Sequence, residues 1–163
     1  MKLFKTIAVL ACFVGLVSLG AFAGTTGTLT VQTNVATTCN VGTGAATLTF
    51  PNYDVVANAT ADDTGSGTFT LQCTNGEQPT ISLSDGLVGT TDATRVMGGT
   101  ATPLHYQLYS DLSNTVWTAT PGYKLPTPMT GAVQTITVYG TIPAGQNPLQ
   151  GAYSDTVTIT VNL

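Results

Sequence analysis

In 163 residues the chain carries four Lys and Arg, eight Asp and Glu and one His, a net charge of −4, with charged residues at 7 % and hydrophobic ones at 42 %. Two of the four cations, Lys2 and Lys5, stand at the extreme N-terminus, so Arg95 and Lys124 are all that remain beyond it. Phosphate binding needs several cations to displace counterions, which excludes nucleic acid, and the same shortage excludes a basic membrane-binding face. Disorder requires low hydrophobicity, which this chain lacks; a folded domain with a weakly charged surface of Thr, Ser, Asn and Gln is expected instead.

The first 23 residues read as a secretory signal. Lys2 and Lys5 precede an apolar run from Thr6 to Leu19, and Ala21-Phe22-Ala23 supplies the small residues that signal peptidase accepts. The run is shorter than the roughly 20 residues that span a bilayer. Cleavage after Ala23 is expected, with Gly24 as the mature N-terminus, leaving about 140 residues, enough for one domain with its own core. Of the three cysteines, Cys12 leaves with the signal. Cys39 and Cys73 remain, an even pair in an exported chain, so a disulfide is expected. Closing a loop of about 33 residues is worth roughly 4 kcal/mol by loop entropy. Two cysteines and one distant histidine do not supply the four ligands of a zinc site.

Beyond the signal the period is two almost everywhere, and the abundance of Thr and Val suits strands. Thr28 to Ala36 alternates, with Leu29, Val31 and Val35 on one face. Strands are also predicted at Thr47–Phe50 (Leu48 and Phe50 together), Thr68–Cys73 (Phe69, Leu71, Cys73) and Thr80–Ser84 (Ile81, Leu83). Further on come Leu104–Tyr109 (Leu104, Tyr106, Leu108) and Val133–Gly140 (Ile136, Val138). In the last run, Tyr153–Leu163, the residues Val157, Ile159, Val161 and Leu163 share a face. Turns are expected at Thr64-Gly65-Ser66-Gly67, Asn75-Gly76, Asp85-Gly86, Gly98-Gly99 and Pro121-Gly122, and a long loop or irregular edge over Asn114–Thr130. Short strands punctuated in this way predict an all-β, two-sheet sandwich.

The inventory for catalysis is poor. His105 sits mid-strand on the face opposite Leu104, Tyr106 and Leu108, which reads as a surface position. Gly65-Ser66-Gly67 lacks the spacing of a nucleophile elbow. Asp62-Asp63 lacks the alternating oxygens of a calcium loop and reads as a solvated turn. Asp54, Glu77, Asp85, Asp92, Asp111 and Asp155 show no paired pattern for glycoside hydrolysis. No enzyme activity, cofactor or metal is expected. What remains is interaction chemistry. The final strand needs a cover for its apolar face, and Thr28–Val35 stands alone near the mature N-terminus. Strand donation between subunits satisfies both, but pattern alone favours the simpler outcome, in which Thr28–Val35 folds as the first strand of its own domain.

Two C-terminal segments carry a resemblance. Val138-Tyr139-Gly140-Thr141-Ile142-Pro143-Ala144-Gly145-Gln146 and Gly151-Ala152-Tyr153-Ser154-Asp155-Thr156-Val157-Thr158-Ile159-Thr160-Val161-Asn162-Leu163 resemble the signature of the spore coat U domain family. Leu104–Asp111, Arg95 with Met97, and the pair Cys39 and Cys73 behind an alternating strand fit it too. Its members include subunits of archaic, Csu-like chaperone–usher pili. The resemblance implies an immunoglobulin-like β-sandwich, incomplete in itself and completed by a donor strand from a neighbouring subunit. It divides the chain into a signal (1–23), a donor segment (24–36) and the sandwich (37–163). Leu29, Val31, Thr33 and Val35 would be donor residues, and Val157, Ile159, Val161 and Leu163 would line the acceptor groove.

The implied partners are identical or related subunits, a periplasmic chaperone and an outer-membrane usher, and the implied destination is the cell surface. The family often has a basic residue where Thr141 stands and an aromatic end where Leu163 stands, which leaves the subunit's role open. A pilus subunit for adhesion and biofilm formation, a spore or cell-surface coat protein, and a monomeric secreted module binding glycan or protein all remain. Intact mass of the exported protein should correspond to a chain starting at Gly24; exported material that retains Met1–Ala23 would overturn the secretory reading.

Overall fold

The structure, a computed structural model, describes residues 24–42, 46–92, 94–99 and 102–163. The expected signal at 1–23 lies outside them. Ten strands are described: β1 (Cys39–Val41), β2 (Leu48–Thr49), β3 (Asp63–Cys73), β4 (Thr80–Leu83), β5 (Val96–Met97), β6 (Leu104–His105), β7 (Gln107–Tyr109), β8 (Tyr123–Lys124), β9 (Gln134–Ile142) and β10 (Ile159–Asn162). The other described residues are loop apart from a 3₁₀ turn at Ala57–Ala59. One sheet has the order β1-β3-β9-β7, with β2 also pairing β3; a second has the order β10-β4-β8; β5 and β6 form a ribbon. Every pairing is antiparallel.

The first sheet is built on β3 and β9, paired from Asp63↔Ile142 to Leu71↔Gln134. Their predicted alternation places Phe69, Leu71, Ile136 and Val138 in the core. Opposite them the second sheet contributes Ile81 and Leu83 from β4, both buried. At about 1.5–3 kcal/mol for each buried aliphatic or aromatic side chain, this contact is the main source of stability. Cys39 and Cys73 face each other in the β1–β3 register and are joined as a disulfide.

Several expectations are corrected. Thr28–Ala36 forms no strand, and Leu29, Val31 and Val35 are 87, 83 and 81 % exposed. Hydrogen bonds to the domain from this end include one from Thr74 Oγ1 to the Ala36 carbonyl. Thr64–Gly67 is not a turn but lies inside β3. Its glycines are there for proximity: a Cβ on Gly65 or Gly67 would come within 2.6 Å of the carbonyl oxygens of Thr49 or Thr47. Asp63 is not a solvated turn residue; it opens β3 and is buried, and its Oδ2 makes no hydrogen bond. Leu104–Tyr109 is not one strand. It breaks at Tyr106, so that β6 pairs β5 while β7 pairs β9. The last run is regular only over Ile159–Asn162, paired with Leu83–Thr80 of β4.

The segment 114–130 is more than a loop. It supplies β8, buried Leu125 and Met129, and Trp117, which is fully buried. The Trp117 backbone N–H donates to the Leu108 carbonyl of β7, and its indole Nε1–H to the Ile81 carbonyl of β4 at 2.8 Å, so one residue ties the two sheets together. Its ring lies 6.4 Å from Phe69 and 5.3 Å from Tyr123, centroid to centroid.

Beside Trp117 lies Arg95, fully buried without a salt bridge to any described residue. All five of its N–H groups find neutral acceptors. Nε donates to the Ser84 carbonyl, Nη1 to the Asp92 carbonyl and Gln107 Oε1, and Nη2 to the carbonyls of Leu83 and Trp117, at 2.7–3.2 Å. Burial pushes the guanidinium below its ordinary value, and the fields of Tyr106, Asp92, Asp85 and Asp155 oppose that shift. Arg95→Lys keeps the charge but offers three donors without the planar fork, leaving buried carbonyls unpaired. The variant should lose about 3 kcal/mol or more, read as a lower urea midpoint at unchanged m-value.

Candidate functional site

An apolar cleft of about 1040 Å³ opens between the β2 side of the first sheet and the C-terminal segment that leads into β10. Among the described residues β2 pairs only β3, and β10 pairs only β4, so both edges facing the cleft are free of strand partners. Leu48 and Phe50 form one wall, Val157 and Ile159 the other, and Leu83, Leu104, Tyr106, Leu108, Val138 and Ile142 the floor.

Local sequence explains each wall. Phe50 reaches over the first sheet because Gly140 has no side chain there; a Cβ would stand 2.7 Å from the Phe50 ring. Phe50 then meets Tyr106 edge-to-face at 6.4 Å. On the other wall, Tyr153, Asp155, Val157, Ile159 and Val161 alternate half-buried with exposed Ser154, Thr156, Thr158 and Thr160. The segment is held by the Gly98↔Ser154 bridge, by Ser84 N–H to the Thr158 carbonyl, and by Thr158 N–H to Ser84 Oγ.

One polar pair lies among these apolar groups. The Tyr106 hydroxyl donates to Asp155 Oδ2 at 2.6 Å, and Asp155 Oδ1 accepts from the Leu87 and Thr156 backbone N–H groups at 2.8 Å each. Burial, and then the bond to Asp155, raise the Tyr106 phenol well above its ordinary value, so it stays a neutral donor.

Of the residues expected in an acceptor groove, the structure brings Val157 and Ile159 into the cleft. Val161 packs on the core beyond it, and Leu163 is 63 % exposed past the end of β10. Leu29, Val31, Thr33 and Val35 are exposed on a segment without strand structure. Phe50, Tyr106 and Asp155 escaped sequence reasoning as a group. Tyr106 and Asp155 are 49 positions apart, and only the alternation of Tyr153–Leu163 pointed to Asp155's face. The His105 side chain is exposed, and its backbone N–H and carbonyl pair with the Gln146 amide at 2.7 and 2.9 Å. Among the described residues no three His, Cys, Asp or Glu gather as metal ligands would.

These features define an all-β sandwich domain with an apolar cleft between two sheet edges that are free among the described residues. The chain belongs to the Spore Coat Protein U domain family, which matches residues 25–160. It is 38 % identical over 152 residues to Protein U of Myxococcus xanthus, covering 85 % of each chain. Its fold is similar to a chain in the chaperone–tip adhesion subunit pre-assembly complex CsuC–CsuE, from archaic chaperone–usher Csu pili of Acinetobacter baumannii. That match has a TM-score of 0.54 and 19 % identity, covering 79 % of this chain and 40 % of the other.

The Tyr106 shift has a consequence for stability. A phenol whose folded value is raised holds its proton when the unfolded chain has lost it, so its contribution is whole below the unfolded value of about 10 and declines above it. Stability should therefore fall as pH rises past about 10, and Tyr106→Phe should flatten that decline while lowering stability at neutral pH by about 1 kcal/mol. Urea midpoints across pH 8–11 for both proteins provide the check.

Proposed function

We propose that this protein is an exported structural subunit that polymerises by donating Thr28–Val35 to the cleft of a neighbouring copy, forming an archaic chaperone–usher type fibre at the cell surface. The observation that carries this reading is the pairing of an apolar cleft between two free strand edges with a separate, exposed, alternating segment. Exposed sheet edges beside apolar surface are aggregation templates unless covered. A strand added there gains backbone hydrogen bonds for strength and side-chain pockets for specificity.

In this reading a periplasmic chaperone covers the cleft before assembly; the Csu tip adhesion subunit, too, forms a pre-assembly complex with a chaperone. An outer-membrane usher then exchanges chaperone for subunit, and the fibre supports adhesion and biofilm formation. The role is structural, not catalytic, and needs no cofactor. A coat on a spore or cell surface is the second reading, favoured by the name of the family. It can use the same joint.

Val31→Asp would place a carboxylate in an apolar cleft, a costly burial. That subunit should fold and bind chaperone, its own cleft being intact, yet fail to enter the next subunit. Native gels of the purified species should show chaperone complexes accumulating and polymers lost, with the same result for deletion of 24–34. Wild-type polymerisation by both variants would overturn strand donation.

A further inference from the structure

We infer that Thr33 and Asp155 set the register of the joint: the donor lies antiparallel to the C-terminal wall, with Thr33 of one copy opposite Asp155 of the next. The inference rests on the strand-donation reading and adds which residues meet. The cleft wall presents every second residue inward, in the order Tyr153, Asp155, Val157, Ile159, with one charged position in four. The donor face presents Leu29, Val31, Thr33 and Val35, with one polar position in four.

Laid antiparallel with Thr33 on Asp155, the two rows match along their length: Val35 opposite Tyr153, Val31 opposite Val157, and Leu29 opposite Ile159. A slip by one pair in either direction puts Val31 or Val35 on the carboxylate. A parallel alignment that keeps Thr33 on Asp155 sets Leu29 against Gly151 and leaves Ile159 outside the row. Every strand pairing described in this protein is antiparallel, and antiparallel pairs are the slightly more stable kind.

The carboxylate has an acceptor position left for this contact. An ionised carboxylate offers about four acceptor positions. Three of those on Asp155 are used, two on Oδ1 by the Leu87 and Thr156 N–H groups and one on Oδ2 by the Tyr106 hydroxyl. The remaining Oδ2 position suits a hydroxyl donor. A threonine there closes the set, whereas an aliphatic side chain would cover a charge without replacing its water. Asp155 is fixed by its own bonds before the donor arrives, so the register is read by a rigid group.

The test uses full-length chains carrying two cysteines, assembled with oxidation and run without reductant, beside single-cysteine controls. Opposed residues in an antiparallel pair have Cα atoms about 4.5–5.5 Å apart, within the span of a disulfide. Val31→Cys with Val157→Cys should yield a covalent ladder of polymers, and Val31→Cys with Tyr153→Cys should not. In the same polymers Thr33→Val should dissociate in denaturant roughly tenfold faster than wild type, and Thr33→Ser at the wild-type rate.

A ladder from the Val31 and Tyr153 pair, or no effect of Thr33→Val, overturns the register while leaving strand donation standing. A cross-link confined to the monomer, with polymers intact, overturns strand donation itself.

Discussion

A single buried cation organises the sandwich. Arg95 takes acceptors from β4 through Leu83 and its neighbour Ser84, from β7 through Gln107, and from the crossing segment through Trp117. A guanidinium stripped of water is tolerated only when every N–H is matched, and here five donors meet five neutral acceptors. Trp117 completes the clasp, with its backbone on one sheet and its indole on the other. The two sheets are thus held at a set spacing beside the cleft, whose floor includes Leu83, Tyr106 and Leu108. In a chain with so few charges, a polar clasp of neutral acceptors holds an Arg95 that forms no salt bridge with any described residue.

The cleft depends on small residues as much as on large ones. Gly65 and Gly67 let the backbone before Phe50 lie close on β3, and Gly140 makes room for the Phe50 ring. Side chains at these positions would push β2 and Phe50 outward into the cleft. Glycine in a strand interior weakens it and marks close approach of another backbone. The disulfide between facing Cys39 and Cys73 secures β1 to the far end of β3. A domain whose cleft exposes apolar groups has less burial to draw on, so clasp and disulfide carry a larger share of its stability than they would in a closed sandwich.

Where sequence reasoning failed, the failures share a cause. Thr64-Gly65-Ser66-Gly67 looks like a turn because glycine and serine are turn formers, yet a neighbouring backbone lies against it and the segment is mid-strand. Asn114–Thr130 looks like a loop because of its prolines, yet it carries the residue that pins the sheets together. Leu104–Tyr109 alternates without a break, although its two halves pair with different partners. Local propensity and period say nothing about which strand lies alongside, and each of these outcomes was decided by a residue distant in the chain.

The sequence by itself determined the all-β class, most strand positions, the inward faces of β3, β4 and β9, and the pairing of two cysteines that ended directly opposite each other. These follow from the period of the side chains and from residue chemistry, which are local. It also singled out Val157 and Ile159 as members of one apolar face. Only the tertiary structure decided that Phe50 and Leu48 would form the opposite wall, that Tyr106 would meet Asp155, and that Arg95 would be buried with all its donors filled. Those residues come together through the β3–β9 pairing and the packing of the second sheet, and such long-range contacts leave no periodic mark on a single sequence.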